Sequence, residues 1–155
     1  MYEKKFINVG EIYVAKKPTE IVTILGSCVA VCLYDTTNKI GAMNHYLVPL
    51  WNGNGLASPK YGDVSVEKLV KHMFDQGCKP YNIIAKIFGG SNINIKSAEG
   101  MLIGKKNVII AKEILAKHKI KIQAEDTGGN RGRRIMLVSD TGKIMLKYTG
   151  SALKE

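Results

Sequence analysis

Short apolar and β-branched runs dominate the first third of the chain. Ile21 to Leu25 and Val29 to Tyr34 are two such runs, separated by Gly26-Ser27-Cys28, which predicts strand, tight turn, strand with Cys28 at the turn. The polar group Asp35-Thr36-Thr37-Asn38-Lys39 breaks the pattern before Ile40 to Val48 resumes it. The second and third of these strands are therefore expected to form a hairpin, which Pro49 ends. Trp51-Asn52-Gly53-Asn54-Gly55 comes next as a turn-rich surface loop carrying the only Trp, where an exposed ring is placed to touch a ligand.

From Asp63 the period changes. Val66, Leu69, Val70, Met73 and Phe74 recur at helical spacing, with Asp63 as expected N-cap and Gly77 as expected C-cap. A strand over Asn82 to Phe88 succeeds it, then a glycine-rich loop, then a second helical pattern in which Ile110, Ala111, Ile114 and Leu115 share a face and lysines cover the other. The chain finishes with expected strands at Ile120 to Glu125, Arg134 to Ser139 and Lys143 to Tyr148, the last two joined by the hairpin signal Asp140-Thr141-Gly142. Strand groups with two main helices make an α+β fold, and no linker or repeat divides residues 1–155, so one domain is expected.

At 155 residues and 45% apolar content the chain is long enough to bury one sizeable core, which excludes a disordered tail. The formal net charge of +10 favours acidic partners without naming one. The longest mostly apolar stretch, Ile21 to Tyr34, contains Thr23, Gly26 and Ser27 and is too short to span a bilayer. MYEKKFINVG has no apolar core of a secretory signal, so a cytoplasmic protein without membrane insertion is expected. Cys28, Cys32 and Cys78 are an odd number without disulfide spacing, which suits a reducing compartment and leaves room for a reactive thiol.

Among the three, Cys28 has the distinctive setting. Gly26 lets the backbone turn tightly and Val29-Ala30-Val31 anchors the thiol's C-terminal side in a sheet, so the sulfur is held without having to be buried. A small core hydrophobe is the commoner role of a free cysteine, and a nucleophile needs a base. His45 is the nearest one, on the strand expected to return antiparallel beside the strand after Cys28, although a sheet histidine among Met43 and Leu47 is equally compatible with the alternation. His72 falls opposite the apolar stripe of the first helix and reads as solvated; His118, near a helix C-terminus, reads as capping or packing and is the weaker rival base. Cys28 and Cys32 in one strand stand about 13 Å apart, beyond the roughly 7 Å limit of a disulfide, and no further ligands lie at zinc spacing, so no metal is expected. Phe88-Gly89-Gly90-Ser91 and the stretch from Asp126 to Arg134 are weak phosphate or nucleic-acid signals, and Gly100 to Lys106 lacks the spacing of a nucleotide-binding loop.

The segment Thr23-Ile24-Leu25-Gly26-Ser27-Cys28-Val29-Ala30-Val31-Cys32-Leu33-Tyr34-Asp35, with Gly41-Ala42-Met43-Asn44-His45 after it, resembles the CheD family of chemoreceptor glutamine deamidases. The likeness continues through Tyr61-Gly62-Asp63, Lys86-Ile87-Phe88-Gly89-Gly90, Ile103-Gly104 with Asn107-Val108, and Ala124-Glu125-Asp126-Thr127-Gly128-Gly129 with Arg131-Gly132-Arg133. The resemblance implies a layered α/β/β sandwich of helices on nested mixed sheets. It implies a Cys-His-Thr triad whose roles fall on Cys28, His45 and Thr23, with one residue fewer between Thr23 and Gly-Ser-Cys than in the family pattern. The implied activity converts glutamine side chains of methyl-accepting chemotaxis receptors to glutamate and ammonia through a cysteine thioester, without a cofactor and with a CheC-type phosphatase as partner. Backbone amides at Gly26, Ser27 and Cys28 are the expected oxyanion donors. The competing expectation is a non-catalytic basic adaptor for an acidic chemotaxis protein or, less readily, RNA, acting through Arg131, Arg133, Arg134 and the lysine-covered helix.

Overall fold

The computed structural model describes residues 2–92 and 98–150, of which 98–101 by their backbone alone. Nine strands lie in two mixed sheets among these residues. Strands β1 (Glu3–Phe6), β3 (Thr19–Leu25), β8 (Gly132–Val138) and β9 (Lys143–Thr149) form one sheet in the order β1-β3-β8-β9, with β1 parallel to β3. Strands β2 (Ile12–Val14), β4 (Val29–Asp35), β5 (Ile40–Asn44), β6 (Ile83–Gly89) and β7 (Lys121–Thr127) form the other, in the order β2-β5-β4-β6-β7.

The side-chain alternation of β4 explains the layering. Val29, Val31 and Leu33 pack with Val66, Leu69, Val70 and Met73 of helix α1 (Gly62–Asp75) and with Ala111, Ile114 and Leu115 of helix α2 (Ala98–Lys117). Ala30 and Cys32, pointing the other way, join Ile21, Leu25, Ile135 and Leu137 of the first sheet and Met43 and Phe88 of their own. The five-stranded sheet is thus buried on both faces, and the order helices, sheet, sheet is the expected α/β/β sandwich.

The first of two features goes beyond the sequence reading, and the second differs from it. β3 and β4 do not share a sheet, because Gly26-Ser27-Cys28 carries the chain from one sheet to the other. β5 ends at Asn44, and Tyr46 and Val48 continue only as isolated bridges to Val29 and Tyr61. The β4–β5 and β8–β9 hairpins form as expected, the latter with Gly142 at a φ of 77°. Strands β1 and β2, four and three residues long, are additions to the elements read from the sequence.

Helix α1 starts one residue before Asp63, with Tyr61 at the N-cap. The Asp63 carboxylate accepts from the amides of Val64 (2.9 Å) and Trp51 (3.0 Å) and so ties the tryptophan loop to the helix start. The Trp51 indole N–H donates to the carbonyl of Asn54 within its own loop. At the other end Gly77 takes a φ of 89° just past the cap residue Gln76, and Cys78 N–H reaches back to Met73 O. Gly100 to Lys106 lies within α2, so it is no phosphate loop. No helix among the described residues is long and apolar enough to cross a membrane.

Candidate active site

The corner between the two sheets is held by its carbonyls. Gly26 O accepts from Ser91 N–H (3.1 Å), Ser27 O from the Asn107 side-chain amide (3.1 Å), and Cys28 O from Gly90 N–H (2.8 Å). Close approach of the Gly89-Gly90 segment makes this possible: a Cβ on Gly89, whose φ is 106°, would stand 2.2 Å from Cys28 O. A Cβ on Gly104 in α2 would stand 2.6 Å from Gly90 O, so the helix backbone presses the clamp from behind. Cys28 is half-buried at the rim of the layer between the sheets, while Cys32 and Cys78 are buried.

His45 reaches this corner through the register of the central sheet. Cys32 pairs with Met43, and Val29 and Tyr46 exchange backbone hydrogen bonds of 3.2 and 3.0 Å in the same register. Counting along it sets Leu47 opposite Cys28 and His45 opposite Ala30. Cys28 and His45 are therefore diagonal neighbours on one face, with Cβ atoms on the order of 7 Å apart. The two enter from different elements, one from the sheet-to-sheet corner and one from the segment after β5.

Thr23 comes to the same place from the other sheet. Its Oγ1 lies 2.7 Å from His45 Nδ1 and 2.8 Å from the carbonyl oxygen of Ile7. A carbonyl only accepts, so the single hydroxyl proton of Thr23 goes to Ile7, and Thr23 must accept from His45 Nδ1–H. The ring is thereby fixed in the Nδ1–H tautomer, with its lone pair on Nε2. Thr23 is fully buried and His45 is 6% exposed, so water does not compete for this arrangement. The shorter stretch before Gly-Ser-Cys thus does not keep Thr23 from the ring.

Burial sets the charge state of the site. It pushes the Cys28 thiol above its ordinary value, and hydrogen bonding from the residue's own backbone brings it part of the way back. It pulls His45 down to about 4. A thiol already ionised by its neighbour is the expectation for such a pair; the resting pair is instead a neutral thiol beside a neutral imidazole, because both charged forms lose hydration here.

The competing residues are occupied elsewhere. His118 Nε2 lies 2.6 Å from Glu67 Oε1 and its ring stands edge-on to Phe74, while His72 is exposed on α1. Arg133, expected in a basic patch, is 4% exposed: it donates to Asp126 Oδ1 (2.9 Å), Gly128 O (2.9 Å) and Gly89 O (3.4 Å). Burial removes it from any partner surface, and of the three arginines only Arg134 is exposed. Arg131 donates to Gly150 O and lies over the Tyr148 ring. Gly128 N–H donates to Gly89 O and Asn92 N–H to Gly129 O, so the two glycine segments brace each other instead of cradling a phosphate. The roles of Asn107 and of the Gly89 to Ser91 clamp escape sequence reading, because their partners lie some 60 to 80 positions away.

Residues 50–148 match the family described as CheD, chemotactic sensory transduction. A protein of Sulfurimonas denitrificans named a probable chemoreceptor glutamine deamidase CheD is 53% identical over 148 residues, covering 95% of each chain. A protein of Thermotoga maritima named chemoreceptor glutamine deamidase CheD is 43% identical over 148 residues, covering 95% of this chain and 93% of that one. The crystal structure of Bacillus licheniformis hypothetical protein YfiH aligns with a TM-score of 0.50 at 15% identity, over 74% of this chain and 49% of that one. This chain thus spans about half the length of that structure, and the likeness is one of fold. On the family match and the near full-length relatives, the chain belongs to the CheD family.

Proposed function

We propose that the chain deamidates glutamine side chains of chemotaxis receptors, with Cys28 as nucleophile, His45 as general base and acid, and Thr23 as the residue that orients the ring. The observation that carries the reading is the Thr23 hydroxyl, which accepts from Nδ1–H at 2.7 Å because its own proton is given to Ile7, and so leaves Nε2 free to take a proton.

The chemistry then runs in two halves. The Cys28 sulfur forms a bond to the amide carbon as its proton passes to His45 Nε2, and the carbonyl π pair becomes an oxyanion. When the oxyanion collapses, the C–N bond breaks and His45 returns the proton to the departing nitrogen, releasing ammonia and leaving a thioester. Water attacks the thioester while His45 takes one of its protons, the C–S bond breaks, and the sulfur recovers that proton. The balance is amide plus water to carboxylic acid plus ammonia. The Cys28 N–H, on the sulfur side of the corner, is the natural oxyanion donor, with Ser27 N–H beside it. The proposal extends to the cytoplasm as compartment and to a CheC-type phosphatase as partner, both on the strength of the family.

The test is mass spectrometry of a purified chemoreceptor cytoplasmic fragment incubated with each variant, together with an ammonia assay. Wild type is expected to add about one dalton per converted glutamine, as hydrolysis of an amide requires. Cys28→Ala and His45→Ala are expected to release no ammonia while keeping their far-UV circular dichroism. Near-normal turnover by either variant refutes the assignment.

A further inference from the structure

Asn107 on α2 is fully buried and spans the two halves of the site. Its Nδ2 donates to Ser27 O (3.1 Å) and to Leu47 O (3.0 Å), one on the cysteine corner and one two residues beyond His45. Both partners are carbonyl oxygens, so both amide protons point at them. The Asn107 backbone carbonyl, for its part, accepts from the Tyr46 hydroxyl, which locks the helix against the same segment. Asn107 Oδ1 is buried without a hydrogen-bond partner among the described residues. The position therefore keeps an amide for its donors, at the expense of an orphaned acceptor.

The direction of these bonds has a chemical meaning. A trans peptide is planar, and its N–H points opposite to its C=O. Pulling Ser27 O toward α2 therefore turns the N–H of the same peptide, that of Cys28, away from the helix. Cys28 packs on that side, against the core between the two sheets and not against the core that holds the helices. Ser91 N–H acts likewise on Gly26 O and so aims Ser27 N–H.

We propose that Asn107 is a positioning residue for deamidation: by holding Ser27 O and Leu47 O with one side-chain amide, it aims the Cys28 N–H at the developing oxyanion and fixes the corner against the His45 segment. The inference rests on the reading of Cys28 as nucleophile. It concerns a step that acyl transfer needs and simple alkylation does not, since displacement of iodide from iodoacetamide by the thiol makes no oxyanion.

The experiment compares wild type, Asn107→Leu, Asn107→Ala and Cys28→Ala, each checked for folding by circular dichroism and a thermal melt. Asn107→Leu keeps the volume and loses both donors; Asn107→Ala serves if the leucine does not fold. With the chemoreceptor fragment as substrate, kcat is expected to fall about 100-fold, the scale of a misplaced catalytic group, with KM within twofold of wild type. The rate of Cys28 alkylation by iodoacetamide is expected to stay within threefold. A kcat within threefold of wild type overturns the inference, as does a parallel fall in kcat and alkylation, which reduces Asn107 to a structural support for the thiol. Turnover surviving in Cys28→Ala overturns the reading of the site itself and is told apart by that variant alone.

Discussion

His45 is neutral at pH 7 because the folded chain withholds the water an imidazolium needs. The unfolded chain does not, so between the ordinary value near 6.5 and the folded value of about 4 the unfolded state binds the extra proton. Stability is then fully present above the unfolded value and is lost as pH falls toward 4. Between pH 7 and pH 5 the loss attributable to this residue is about 2 kcal/mol. Urea unfolding at both pH values checks it: in His45→Asn the difference between the two should shrink by about that amount, and an unchanged difference contradicts the buried neutral ring. At this scale the sequence was readable for residue types and not for their state. Cys28 stands out by its Gly-Ser-Cys setting, and His45 by its place where the chain returns beside β4. That Thr23 would donate to Ile7 and accept from the ring depends on a carbonyl 16 positions away, just past a strand with no apolar signature.

Among the elements, the corner between β3 and β4 depends on Gly89 more than on its own residues. An added Cβ there would meet Cys28 O at 2.2 Å, and the φ of 106° is one that L side chains resist. Gly89→Ala is expected to cost about 2–4 kcal/mol in denaturant unfolding and to reduce ammonia release by more than tenfold. Gly53→Ala is the control, since Gly53 has a φ of 90° but open space around it; it should lose about 1 kcal/mol and no activity. The helices were legible in the sequence because each buries one stripe against a sheet, which imposes the period that Val66 to Phe74 displays. The hairpins were legible through their turn residues. Sheet membership was not: Ile21 to Leu25 and Val29 to Tyr34 carry the same β-branched signal, and only the carbonyls of residues 26–28, bound by Gly90, Ser91 and Asn107, show that the chain changes layer there. β1 and β2 escaped because three or four residues with exposed or half-exposed side chains have no periodicity to detect.

The molecule as a whole stacks helices, sheet and sheet, and its proposed site gathers residues 7, 23, 28, 45 and 107 from both sheets and from α2. Ile7 comes directly after β1, the edge strand that docks parallel on β3 from Glu3 to Phe6. Without Ile7 O, the Thr23 hydroxyl is free to turn its proton to Nδ1, which moves the ring proton to Nε2 and removes the proposed base. A chain lacking residues 1–7 is therefore expected to lose turnover, and nitrogen NMR of its histidines should show the Nε2–H tautomer at His45 where the full chain shows Nδ1–H. The same tautomer in both chains would contradict this. Ile7 is also a fully buried member of the core between the sheets, so fraying of that first strand loosens one core and the proposed base together; on gentle heating catalytic output should fade ahead of ellipticity, and turnover becomes a gauge of whether that edge has closed.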